Sequence, residues 1–187
     1  LVEAYYNTRR DKNKLLGAHL YHASSDKGPV DGRNSGSGSS GLSVFGRSFT
    51  KGISLSGNAG FENRTTHFYG YPVGTEVEAG SIKQSFNLLK IGGALSNAKN
   101  SDFSYKLGAN LSHLSDKYDA KETEIDLEFS SAYELDEDSK INLRGDFFFI
   151  NRTDTDIDKK GRSLFVVSPS YAFVPVDDLK LSIGLIA

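Results

Sequence analysis

The sequence predicts an all-β fold, an antiparallel up-and-down β-barrel of about ten strands. Three observations carry this. Apolar and polar residues alternate with a period of two in stretch after stretch, and no stretch gives a comparable 3.6 period. Gly is frequent (19), Pro scarce (4), and Phe and Tyr supply all of an 11% aromatic content, a mixture that favours strands and turns over helices. Short and long connections alternate along the chain.

Division at the polar, turn-rich points places strands over 1–9, 14–25, 41–49, 53–69, 84–97, 102–114, 123–135, 140–151, 162–175 and 179–187. The first begins at once with Leu1, and Tyr5 and Tyr6 lie in it. The second and third carry Leu16-Ala18-Leu20 and Leu42-Val44 in alternation. The fourth, 53–69, is long enough to run beyond a bilayer. In "FSYKLGANLSH", Phe103, Tyr105, Leu107, Ala109 and Leu111 oppose Ser104, Lys106, Gly108, Asn110 and Ser112. In "TEIDLEFSSAYEL", Ile125, Leu127, Phe129, Ser131, Tyr133 and Leu135 oppose Glu124, Asp126, Glu128 and Ser130. "INLRGDFFF" sets Ile141, Leu143, Gly145, Phe147 and Phe149 against Asn142, Arg144, Asp146 and Phe148. "LKLSIGLIA" sets Leu179, Leu181, Ile183 and Leu185 against Lys180, Ser182 and Gly184.

The connections read short at 10–13, 50–52, 98–101, 136–140 and 176–178, and long at 26–40, 70–83, 114–121 and 152–161. In an up-and-down sheet, parity means one end or the other. Short turns at one end, long loops at the other and strands of about ten residues describe an outer-membrane barrel. Aromatics near strand ends (Tyr5, Tyr6, Phe68, Tyr69, Tyr71, Phe103, Tyr105, Phe149, Tyr171, Phe173) fall where interfacial girdles sit. The expectation is therefore a transmembrane β-barrel in a bacterial outer membrane, either passing a solute in a receptor-like way or serving as a surface scaffold for partner proteins. The alternative is a soluble β-barrel that binds an apolar ligand in its interior, because alternation alone does not say which face is inside. The segment Ser35–Ser40 fits a long extracellular loop better than a tether, since the same alternation continues on both sides of it.

The chain reads as one barrel segment over 1–187 with no second domain. It opens in strand-like sequence and closes in mid-pattern, so it is expected to be part of a larger barrel; with short turns periplasmic, both ends would lie outside the cell. A net charge of −2 gives no basic signature of a nucleic-acid binder. With no cysteine, disulfides, thiolate catalysis and cysteine metal sites are excluded. No apolar run approaches the length of a membrane helix, which leaves strand-crossing open.

"LGAHLYHASSDKGPVDGRNSGSGSSGLSVFGRSF" and "LSGNAGFENRTTHFYGYP" resemble a family of large outer-membrane β-barrel proteins of Bacteroidetes-type bacteria, often labelled TonB-dependent receptor-like. The shared features are the "HLYHASSDKG" strand end, the "NSGSGSS" loop and the strand ending "NRTTHFYGYP". The likeness covers residues 1–75; the remainder follows by barrel pattern alone. It implies an outer-membrane location and transport of a bound solute. No plug or TonB-box-like segment is visible in the sequence.

Six charges are the candidate lumen-lining residues. Glu124, Asp126 and Glu128 share the polar face of one strand, Lys106 precedes them on the next strand, and Arg144 with Asp146 follows on the other side. Opposite charges on adjacent strands form cross-strand pairs, and lumen charges tune passage. His19 and His22, three apart, point to opposite faces. His67 and His113 lie near ends of the same parity, so a shared metal at the rim is conceivable, against a plainer role as polar interface residues. "TDTDID" offers Asp154, Asp156 and Asp158 at alternate positions, more simply a solvated loop than a cation site. The "NRT" sequons at Asn63 and Asn151 are taken as chance. There is no Ser/His/Asp arrangement, phosphate loop or zinc spacing, so the chain is expected to be non-enzymatic, without cofactor or metal. Expected partners are the lipid bilayer, lipopolysaccharide and other outer-membrane or periplasmic proteins.

Overall fold

The computed structural model describes all residues except 27–35, 69–70, 73, 98–100, 156 and 177–178, and the backbone alone of 9, 10, 157 and 158. The strands are β1 (Val2–Asp11), β2 (Lys14–Ser25), β3 (Ser37–Thr50), β4 (Ile53–His67), β5 (Lys83–Asn97), β6 (Phe103–Asp116), β7 (Lys121–Glu134), β8 (Ser139–Asp154), β9 (Ile157–Val176) and β10 (Leu179–Gly184). A single turn of helix, α1 (Ala79–Ile82), precedes β5. Each strand pairs antiparallel with its sequence neighbours in one ten-stranded sheet, and β1 and β10 form its two edges. The sheet is open.

All ten expected strands are present, but two expected loops are partly strand. Ser37–Ser40, read as loop, belongs to β3, with Ser37 opposite Ser25 and Ser40 opposite both His22 and Asn63. The segment 152–161, also read as a long loop, is hairpin: Arg152 faces Lys160 and Asp154 faces Ile157. The short–long alternation therefore holds from β1 to β5 and fades afterwards, where strands extend into the region expected to be loop. The cause is shared. Gly, Ser, Thr and Lys carry no apolar period, so only the partner strand reveals that they are extended.

Turn chemistry fixes the hairpins. Between β3 and β4, Lys51 (φ 47°) and Gly52 (φ 86°) both take positive φ, the signature of the two-residue type I′ turn whose twist matches its strands. Between β7 and β8, the Asp136 carboxylate accepts from the Asp138 amide (3.0 Å) and the Ser139 hydroxyl (2.7 Å). These bonds, the Ser139 hydroxyl first, hold the Asp136 carboxyl below the ordinary aspartate range. A depressed carboxyl stabilises the turn at neutral pH, and the contribution is lost as pH falls through its folded pKa. NMR titration should place the Asp136 midpoint below that of a free aspartate, and Ser139→Ala should move it back up; an unchanged midpoint would count against the bond.

The other end of the sheet is tied together. Asp116 accepts from the Tyr118 and Ala120 amides (2.8 and 2.9 Å). Lys117 Nζ donates to the Gly80 and Lys83 carbonyls, and Tyr118 Oη to the Ser81 carbonyl (3.1 Å). The β6–β7 turn thus clasps α1, whose Ile82 is buried. Elsewhere the sheet has almost no interior: among the described residues, Ile82 and Ala172 are the buried apolar side chains. An ordinary soluble domain packs at least two layers around an apolar core. A single layer of strands has none.

Candidate functional site: two unlike faces of one sheet

Strand pairing sorts the side chains into two faces. One row across the first face reads Leu16, Gly46, Gly57, Gly93, Ala109, Leu127, Phe147 and Phe165, from β2 to β9. The next reads Ala18, Val44, Ala59, Ile91, Leu111, Ile125, Phe149 and Ser163. Phe103, Tyr133, Ile141 and Tyr171 are aligned nearer the short turns, with Phe103–Tyr105 and Tyr171–Phe173 ring pairs at 6.0 and 5.5 Å. Of the aromatics expected as a girdle, Phe103, Tyr105, Tyr171 and Phe173 gather at this border of the apolar band, whereas Phe149 lies nearer the other border, Phe68 and Tyr71 lie in the β4–β5 connection, Tyr6 is at mid-band and Tyr5 is on the opposite face. Tyr69 lies outside the described residues. The band is uncovered: Leu20 is 52% exposed, Phe61 48%, Leu127 44% and Phe165 65%.

The band crosses the hydrogen-bonded rows on a diagonal. Leu16 is its lowest member on β2, with Lys14 beneath, whereas Phe165, in the same row, is its highest member on β9, with Val167, Pro169, Tyr171 and Phe173 beneath. The centre moves from Ala18, whose row reaches Ser163, to Pro169, six residues lower, over seven inter-strand steps. At about 3.4 Å per residue and about 4.8 Å per strand, that is a drop of about 20 Å across about 34 Å. If the band is level, the strands tilt by roughly 30°, close to the stagger that closing a barrel requires.

The second face carries the charges. Glu3, Glu62, Asp116, Glu122, Glu124, Asp126, Glu128, Glu134 and Asp146 all stand on it. The apolar face has no strand Asp or Glu among the described residues apart from Asp11, beside the first turn. All six candidate charges share the polar face, though their pairing departs in part from expectation. Lys106 reaches Glu128 across the strands at 3.4 Å, as expected. Arg144 pairs along its own strand, Nε to Asp146 at 2.8 Å with a second bond from Nη2 at 3.0 Å, rather than across to β7. Asp126 accepts from Asn110 (3.4 Å) and its other oxygen has no partner. Such exposed pairs contribute about 0–1 kcal/mol each. They neutralise a wet wall rather than hold the fold.

The histidines separate as their spacing predicts. His19 sits on the polar face, 2.9 Å from Glu3 and stacked on Tyr5 at 4.2 Å, and His22 sits on the apolar face, 2.7 Å from Ser40. His67 bonds the Gly36 carbonyl (2.7 Å) and His113 bonds Thr123 (2.9 Å). Their β5 partners Lys83 and Leu89 are six residues apart, about 20 Å along the strand, so these two imidazoles do not share a site. No cluster of metal-ligating side chains occurs among the described residues. Asp154 is in β8, 3.3 Å from Arg152, while Asp156 and the side chain of Asp158 lie outside the described residues.

Sequence reading missed two features. Phe45 extends over Gly17 and Tyr21 over Gly41, each ring occupying the space a β-carbon would need on the neighbouring strand. Above the apolar band, His22, Ser40, Asn63, Asn87, Ser115 and Lys121 align in one polar row. Both depend on register, which single strands do not reveal. No family model matches the chain, and no curated protein or solved structure matches it.

Proposed function

We propose that the chain is a membrane-spanning segment of a bacterial outer-membrane β-barrel, its apolar face on lipid and its polar face lining a path for solute. The carrying observation is the single-layered sheet, whose apolar face is continuous over ten strands and has nothing packed against it among the described residues. Each large apolar side chain left in water forgoes about 1.5–3 kcal/mol, so this face needs a cover, and hydrocarbon suits a band with no strand carboxylate in it. The diagonal stagger and the aromatic border support the same reading. The paired charges of the other face suit a water-filled lumen.

The chain has no cysteine, so single cysteines can report on each face. A fluorophore at Leu127→Cys should shift to the blue and be quenched by spin-labelled lipid in vesicles, whereas one at Glu128→Cys should be quenched by a water-soluble agent. The folded protein should fractionate with outer membranes and migrate faster on gels when unheated. Recovery in the aqueous fraction without detergent, or lipid quenching at neither position, would sink the membrane reading and favour a soluble barrel with an apolar interior.

A further inference from the structure

We infer that the charged face carries, across β7, β8 and β9, a binding site for a short apolar peptide with free termini. The inference rests on the solute-path reading and names the class of solute. Strand pairing puts an apolar floor where a wet wall calls for polar side chains. Phe148 and Ile150 stand on the charged face of β8, and Leu164 stands opposite Phe148 on β9. Phe148 is half-buried, Ile150 is 37% exposed and Leu164 58%. Contiguous apolar side chains left open on a polar surface mark contact with an apolar partner.

The floor has oppositely charged flanks. On β7, Glu124 faces Ile150 and Asp126 faces Phe148; on β9, Arg162 faces Ile150 from the other side. Glu124 and Arg162 enter none of the ion pairs found among the described residues. Asp126 accepts from Asn110 (3.4 Å), and its buried Oδ1 has no partner among the described residues. The neighbouring charges are already committed, Lys106 to Glu128, Arg144 to Asp146 and Arg152 to Asp154. Glu124 and Arg162 share one row two strands apart, about 10 Å at about 4.8 Å per strand. An extended tripeptide spans about 10 Å. Its ammonium group meets Glu124 and Asp126, its carboxylate meets the Arg162 guanidinium, and its apolar side chains lie on Phe148, Ile150 and Leu164. A neutral apolar solute uses the floor alone, and a simple ion uses one flank alone. A peptide with both termini free uses all three.

The test is calorimetric titration of the full chain, folded in detergent, with trileucine, N-acetyl-trileucine and trileucine amide. Wild type should bind trileucine on the order of tenfold more tightly than either blocked peptide, because each block removes a charge-assisted bond. The E124Q/D126N variant should lose the preference over the acetylated peptide and keep the preference over the amide. R162Q should do the reverse. F148A/L164A should weaken all three peptides alike. Equal binding of the three peptides by wild type, or the same loss for all three in E124Q/D126N, would overturn the site. The fluorophores at Leu127→Cys and Glu128→Cys judge the membrane reading separately. Lipid quenching at Leu127→Cys without trileucine binding removes the peptide site alone. Trileucine binding with lipid quenching at neither position removes the membrane reading and leaves the peptide site standing.

Discussion

Ala18→Arg should cost about 2–4 kcal/mol of folding stability in a bilayer, while Ser163→Arg, in the same hydrogen-bonded row, should cost about 0–1 kcal/mol. Ala18 is the centre of the apolar band on β2, between Leu16 and Leu20. Ser163 lies two residues above Phe165, the upper border of the band on β9. A guanidinium at mid-depth must be desolvated or must drag water and headgroups inward; near the interface it already touches both. Guanidinium titration of the fast-migrating folded band measures both costs. The diagonal is wrong if the two substitutions cost the same, because residues in one row would then share one depth.

Gly41→Val should destabilise by about 1–3 kcal/mol, as overpacking does, and the cost should vanish in a Tyr21→Ala background. A β-carbon at Gly41 would meet Tyr21 Cζ at 2.8 Å and its hydroxyl at 3.0 Å, so the ring must leave its place over β3. Valine alone suits a strand better than glycine, so a clash is required to make the substitution costly. The measurement is a double-mutant cycle by denaturant titration. Equal costs for Gly41→Val with and without the Tyr21 ring would mean that the ring does not use that space.

Which elements the sequence made legible follows from where apolar residues fall. The alternation in 102–114, 123–135 and 140–151 located β6, β7 and β8, because each strand carries one apolar and one polar face. It failed at Ser37–Ser40 and 152–161, where both faces are polar and extension is held only by the neighbouring strand. The candidate charges were legible in part. Parity put Lys106, Glu124, Asp126, Glu128, Arg144 and Asp146 on one face, but parity does not distinguish a partner two residues along the strand from one across it. Arg144 took the nearer, Asp146.

The sequence by itself determined the strand count, the antiparallel order and the division into an apolar and a charged face, since period-two patterning is a property of each strand alone. Only the tertiary structure decided the register. Register is set by cross-strand hydrogen bonds and turn geometry, and from it came the diagonal course of the apolar band, the rings laid over glycine and the alignment of His22, Asn63, Asn87 and Lys121 above the band. These features relate residues tens of positions apart in the chain, where nothing in the local pattern connects them.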